Sequence, residues 1–112
     1  MSNTTTLNFT LSEELNAIKE LTQNFADNEI RPVALQFDES QEFPYEIFAK
    51  LGELGLLGIL IPTEYDGSGL GYQEYAIIVE EIARACPAIA LGVAAHNGLC
   101  TNHINLFGND SQ

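Results

Sequence analysis

From Ala85 to Asn109 the chain reads ACPAIALGVAAHNGLCTNHINLFGN, without one Asp, Glu, Lys or Arg. Pro87 stands near the start of this run, Gly108 near its end and small residues occur on every side, so the pattern predicts a helix over 88–107 with no charged face for water. Such a helix is normally buried all round. A bilayer is a poor host for it, because Asn97, Asn102, His96 and His103 would be costly in hydrocarbon, and no membrane insertion is expected. A chain of 112 residues holds one domain at most. The remaining helices are too few to enclose this one, so some of its surface should face a ligand, another domain or another chain.

The rest of the chain supplies the neighbours. Residues 1–10 have no periodicity and read as a flexible N-terminus; with no basic n-region and no long apolar run, they carry no signal or transit peptide, and a soluble, cytoplasmic chain is expected. Leu15, Ile18, Leu21, Phe25 and Ile30 then recur at mostly three- and four-residue steps, which predicts a helix capped by Ser12, or by a Thr10–Glu13 capping box. Pro32 should kink or break that helix before it resumes through Phe37. A second helix fits 44–54, with Ile47, Phe48 and Leu51 on one face and Gly55 as its left-handed cap. LLGILIP is too short and apolar for an exposed helix and reads as a buried extended or turning segment. A third helix follows from Tyr72 to Pro87. Its predicted inner face is Tyr75, Ala76, Val79, Ile82, Ala83 and Cys86, with Glu74, Glu80, Glu81 and Arg84 opposite and Glu80 placed to pair with Arg84. At the chain's end, Asp110 and Ser111 offer caps for a further helix, so the sequence reads as a piece of something larger.

Charge removes several functions. The net charge is -12, and the four basic residues, Lys19, Arg31, Lys50 and Arg84, are scattered, so nucleic acid and anionic membranes are poor partners. Gly67, Gly69 and Gly71 precede a helix as in a phosphate loop, but no Lys accompanies them and Glu64, Asp66 and Glu74 flank them; glycines for tight turns and close chain approach explain the run better. His96, Cys100 and His103 fall on one helical stripe, yet structural zinc takes four ligands, usually from more than one element, so no metal is expected and a buried polar seam is the plainer reading. Cys86 and Cys100 read as free thiols. No nucleophile, base and orienting group can be assembled, so no catalytic residue is assigned.

Three segments together carry a resemblance: LGELGLLGILIPTEYDGSGLG, then EEIAR, then the small-residue helix ending in FGN. In this order and at these spacings the chain, from about Leu11 to its last residue, resembles the N-terminal helical domain of the acyl-CoA dehydrogenase family. Asp66-Gly67-Ser68-Gly69 stands where many members have paired glycines, a departure that bears on loop detail. The resemblance implies an all-α fold over residues 11–112, about four helices with a glycine-rich loop before the third. It implies a parent flavoenzyme with a middle β domain and a C-terminal helical bundle, neither of which is in these 112 residues. That parent would use FAD to dehydrogenate an acyl-CoA thioester at its α,β carbons, pass electrons to an electron-transfer flavoprotein and form a homotetramer. The fragment alone is expected to hold no cofactor and to be inactive, contributing the wall of the acyl-tail pocket through Ala95, His96 and Leu99. The acyl-CoA oxidase and nitroalkane oxidase branch, and a helical interaction module without a redox role, remain as alternatives.

Overall fold

Of the two caps available to the first helix, the chain uses Ser12. In the computed structural model, which describes residues 6–112, the Ser12 Oγ accepts a hydrogen bond from the Leu15 N–H at 3.2 Å and Glu13 and Glu14 occupy the first turn. Residues 1–5 of the expected N-terminal arm lie outside the described residues. Helix α1 (Glu13–Phe25) passes into a π-helical segment (Ala26–Ile30) and then into α2 (Arg31–Ser40). Pro32 therefore does not break the run: Arg31 keeps helical angles, φ −54° and ψ −43°, and its N–H reaches back to the Ala26 carbonyl. In an α-helix the proline ring would strike the carbonyl four residues earlier, and the wider π turn just before it relieves that contact. Gln41, at φ 60°, ends the run.

Helix α3 (Tyr45–Glu53) follows the expected pattern, with Ile47 and Leu51 buried and Phe48 packed against the core. Its end is a Schellman motif around Gly55 at φ 79°: the Gly55 N–H donates to the Gly52 carbonyl at 3.0 Å and the Leu56 N–H to the Leu51 carbonyl at 2.9 Å. LLGILIP then turns rather than extends, burying Leu56 and Ile59, and a short 3₁₀ turn (Thr63–Tyr65) leads into the glycine loop. Helix α4 (Tyr72–Ala85) packs on both α1 and α5 (Pro87–Ala94), which a second π segment (Ala95–Thr101) joins to α6 (Asn102–Phe107). Four helical runs and no strand make up the described residues, so the all-α expectation holds. Ile30, Leu51, Ile59, Ile78, Ile82 and Val93, each fully buried, draw every run and the turn into one core.

Two faces differ from their predicted positions. On α1 the buried residue is Thr22, whose Oγ1 donates to the Ile18 carbonyl at 2.8 Å, while Leu21 is 46% exposed. On α4, Ile78 rather than Ala76 joins Ile82 in the core, and Glu81 turns inward with 3% of its surface exposed. Arg84 accordingly pairs with Glu81 (Nη1–Oε2, 2.6 Å), not with Glu80, and Lys19 approaches the same carboxylate at 3.9 Å. The Glu81 hydrogen bond and charge hold the Arg84 guanidinium above its already high range. Removing one partner of a buried carboxylate leaves charge without compensation, whereas an exposed pair contributes little. Arg84→Met should thus lower the melting temperature clearly more than Arg31→Met, whose partner Asp27, at 3.2 Å, is 41% exposed. Equal losses in parallel thermal scans would show that Glu81 is solvated.

Candidate functional site

The charge-free run is built on one side only. After Cys86, in extended geometry, Pro87 takes the first helical position of α5, where its missing N–H costs nothing. Ile89, Ala90, Val93, Asn97 and Asn102 face inward. The last step, of five residues instead of three or four, is the signature of the π segment it crosses. Two glycines allow close approach on this inner side. A Cβ at Gly92 would lie 2.7 Å from the Phe48 ring, and one at Gly98 would lie 2.8 Å from the Tyr75 hydroxyl, which donates to the Ala94 carbonyl at 2.7 Å. Asn102 Nδ2 donates to the Tyr72 hydroxyl at 3.1 Å.

Asn97 is the central polar contact. Fully buried, its Oδ1 accepts from the Ile59 N–H at 3.0 Å, and its Nδ2 donates to the Leu56 carbonyl at 3.0 Å and the Val93 carbonyl at 2.9 Å. One carboxamide so joins the helix to the turn after α3 and satisfies backbone groups that burial would otherwise leave unpaired.

The opposite side is open. Leu91 is 71% and Leu99 75% exposed, Ala95 between them is half-buried and His96 is exposed, so the chain's own helices leave part of this helix uncovered, as their number leads one to expect. The reason is thickness. The molecule measures 19 Å along its shortest axis, room for two helix layers of about 10–12 Å at most. Ala95, His96 and Leu99 thus belong to a surface and line neither of two depressions found elsewhere on the domain. The larger of those, an open groove of about 600 Å³, lies between Ile61, Tyr65, Thr101 and Ile104 and the chain's last residues. The smaller, about 210 Å³, separates α1 from the Leu54–Leu56 turn.

The glycine loop has no amides to offer an anion. The Gly67 N–H donates to the Pro62 carbonyl (3.1 Å), Ser68 to Gly58 (2.8 Å), Gly69 to Ile61 (2.8 Å) and Leu70 to Ile59 (2.8 Å). The Gly71 N–H, at the start of α4, donates to the Glu74 carboxylate at 3.0 Å. Five consecutive donors are committed within the chain, and a carboxylate occupies the place where a phosphate would sit. His96, Cys100 and His103 are all exposed, so they form no buried seam; among the described residues no group of three His, Cys, Asp or Glu side chains could hold a metal ion. Cys86 and Cys100 are free thiols. Among the described residues no helix is long and apolar enough to cross a membrane.

Residues 12–112 match the family model described as acyl-CoA dehydrogenase, N-terminal domain. The chain belongs to the acyl-CoA dehydrogenase family. It is 42% identical over 106 residues to the probable acyl-CoA dehydrogenase YngJ of Bacillus subtilis, which takes in 95% of this chain and 28% of that protein. To the mitochondrial isovaleryl-CoA dehydrogenase of Pongo abelii it is 41% identical over 104 residues, 91% of this chain and 25% of the relative. Among solved structures, butyryl-CoA dehydrogenase from Megasphaera elsdenii matches with a TM-score of 0.85 at 26% identity, over 94% of this chain and 28% of that one. The chain spans about a quarter of the length of these relatives.

Several contacts of this acyl-CoA dehydrogenase domain escape a reading by periodicity. Asn97 attracts notice in the sequence only as a polar residue in an apolar run, and Glu81 only as one of two adjacent acids. Gly92 and Gly98 are the available signal for close packing, since an isolated glycine inside a helical pattern otherwise weakens the helix.

Proposed function

We propose that the chain serves as the N-terminal helical domain of an FAD-dependent acyl-CoA dehydrogenase, where Ala95, His96 and Leu99 wall the far end of the acyl tail. The observation that carries this is the open stripe of Leu91, Ala95 and Leu99, an apolar surface on a face the domain's own helices leave uncovered. Burying such a surface against an alkyl chain is favourable by about 0.8 kcal/mol per methylene. The flavin and the base that removes the α-proton belong, in this reading, to the middle and C-terminal domains. Residues 6–112 do not suit the phosphates of FAD and CoA: the glycine-loop amides are committed, and a net charge of -12 opposes them. When bound, FAD accepts the β-hydride; an electron-transfer flavoprotein would take the electrons onward, and the parent would be a homotetramer.

The test is a chimera in which this chain replaces the matching 28% of the Bacillus subtilis relative. Enlarging Ala95 to Phe fills space at the end of the tail, and overpacking of about 1–3 kcal/mol corresponds to a roughly ten- to hundredfold fall in kcat/KM for long straight-chain acyl-CoAs. Short substrates should be spared and the pH profile unchanged, since the reacting carbons lie at the other end of the substrate. A uniform loss at every length would remove Ala95 from the pocket.

A further inference from the structure

Leu91 and Leu99 are eight residues apart, which on a regular α-helix separates them by about 80° around the axis. Yet both are more than two-thirds exposed. Inside a π segment each hydrogen-bonded turn takes one more residue, so each residue advances by less than the about 100° of an α-helix, and the four steps from Ala95 to Leu99 turn Leu99 back toward the line of Leu91. The apolar stripe is therefore continuous only because the helix between Ala95 and Thr101 is π. Among the described residues, the side chain that holds this segment to the turn after α3 by hydrogen bonds is Asn97. Its carboxamide engages both a donor and an acceptor of the turn, Ile59 N–H and Leu56 C=O, from the middle of the π segment.

We infer that Asn97 is a positioning residue: by pinning the π turn it sets the rotation of Leu99 relative to Ala95 and Leu91, and so the shape of the wall that meets the acyl tail. It never touches the tail. This rests on the acyl-wall reading above, with Asn97 acting through the helix register. Without the carboxamide, the Ile59 N–H and Leu56 C=O lose their partner and the helix can relax toward α geometry, turning Leu99 out of the stripe.

The experiment uses the same chimera with three variants. Asn97→Ala removes the clamp, and Asn97→Asp keeps an acceptor for the Ile59 N–H. Ile89→Ala opens a cavity elsewhere on the same helix without touching the clamp. The ratio of kcat/KM for octanoyl-CoA to that for butyryl-CoA should move about tenfold in Asn97→Ala, mainly through KM. The shift should be smaller in Asn97→Asp, while Ile89→Ala lowers the melting temperature and leaves the ratio alone. If Asn97→Ala does not accumulate in folded form, Asn97→Asp decides by the same ratio. Overturning results are an unmoved ratio in the Asn97 variants, or a ratio that follows melting temperature in all three. The two readings fail differently: if Ala95→Phe leaves length preference intact, the acyl wall is wrong, whereas a chimera that responds to Ala95→Phe but not to Asn97 substitution refutes only the clamp.

Discussion

Gly67→Ala is expected to be among the most destabilising single-methyl changes in this chain. A Cβ at Gly67 would fall 2.1 Å from the Ile61 carbonyl oxygen and 2.5 Å from the Ile61 carbonyl carbon. The two closest are backbone atoms, so no side-chain rotation can make room. The loop there is tied to the turn by the Ser68, Gly69 and Leu70 amides, each donating at 2.8 Å to Gly58, Ile61 and Ile59. Separating the two segments would strain or break these bonds together. The expected loss is at the upper end of the about 1–3 kcal/mol typical of overpacking, a fall in melting temperature of roughly 10 °C or more for a domain of this size. Gly52→Ala is the control. Its Cβ would meet only Leu57 Cδ1 at an ordinary 3.6 Å, inside α3, where Ala is the better helix former by about 1 kcal/mol. Urea titrations should separate the two in sign, and a Gly67→Ala chain as stable as the parent would mean that the loop does not cross the turn this closely.

Ile78→Ala should also cost roughly 2–5 kcal/mol, the range for truncating a fully buried aliphatic residue and leaving a cavity. Ile78 has no exposed surface and sits between α1 and the turn after α3, where it already borders the small depression with Ile18 and Leu56. Leu21→Ala, on the face of α1 that periodicity alone would place in the core, should cost less than about 1 kcal/mol because nearly half of Leu21 is already in water. Denaturation midpoints for the two variants give the comparison. A larger loss at Leu21 than at Ile78 would restore the face assignment read from sequence and contradict the helix rotation seen here.

The sequence by itself determined most of the helix ends; the exception is the first run, which passes through Pro32 and stops at Gln41. Capping is local: Ser12 has its acceptor three residues from the amide it serves, Gly55 reaches the left-handed region without steric cost, and Pro87 suits a first helical position in any context. The glycine loop was equally legible, because acidic flanks and the lack of a Lys argue against phosphate before any fold is known. The charge-free run also announced a surface needing an outside partner, and the family resemblance supplied the residues proposed for it.

Only the tertiary structure decided which side chains of α1 and α4 face inward, and why Leu91 and Leu99 align. Periodicity assumes a constant 3.6 residues per turn, and each of the two long runs contains a π segment that breaks the assumption at Ala26–Ile30 and Ala95–Thr101. Past such a segment the inward face shifts, as in the five-residue step from Asn97 to Asn102; Leu21 on α1 and Ile78 and Glu81 on α4 lie outside both segments, and packing against the neighbouring helices sets their faces. The buried side chains of Glu81 and Asn97 were hidden for a related reason. A polar residue is normally counted as outward, and it can turn inward only where partners meet it: Arg84 and, more distantly, Lys19 beside Glu81, and the backbone of Val93, Leu56 and Ile59 around Asn97. Arg84 and Val93 are local, but Lys19, Leu56 and Ile59 are brought in by packing, across separations that no local pattern spans.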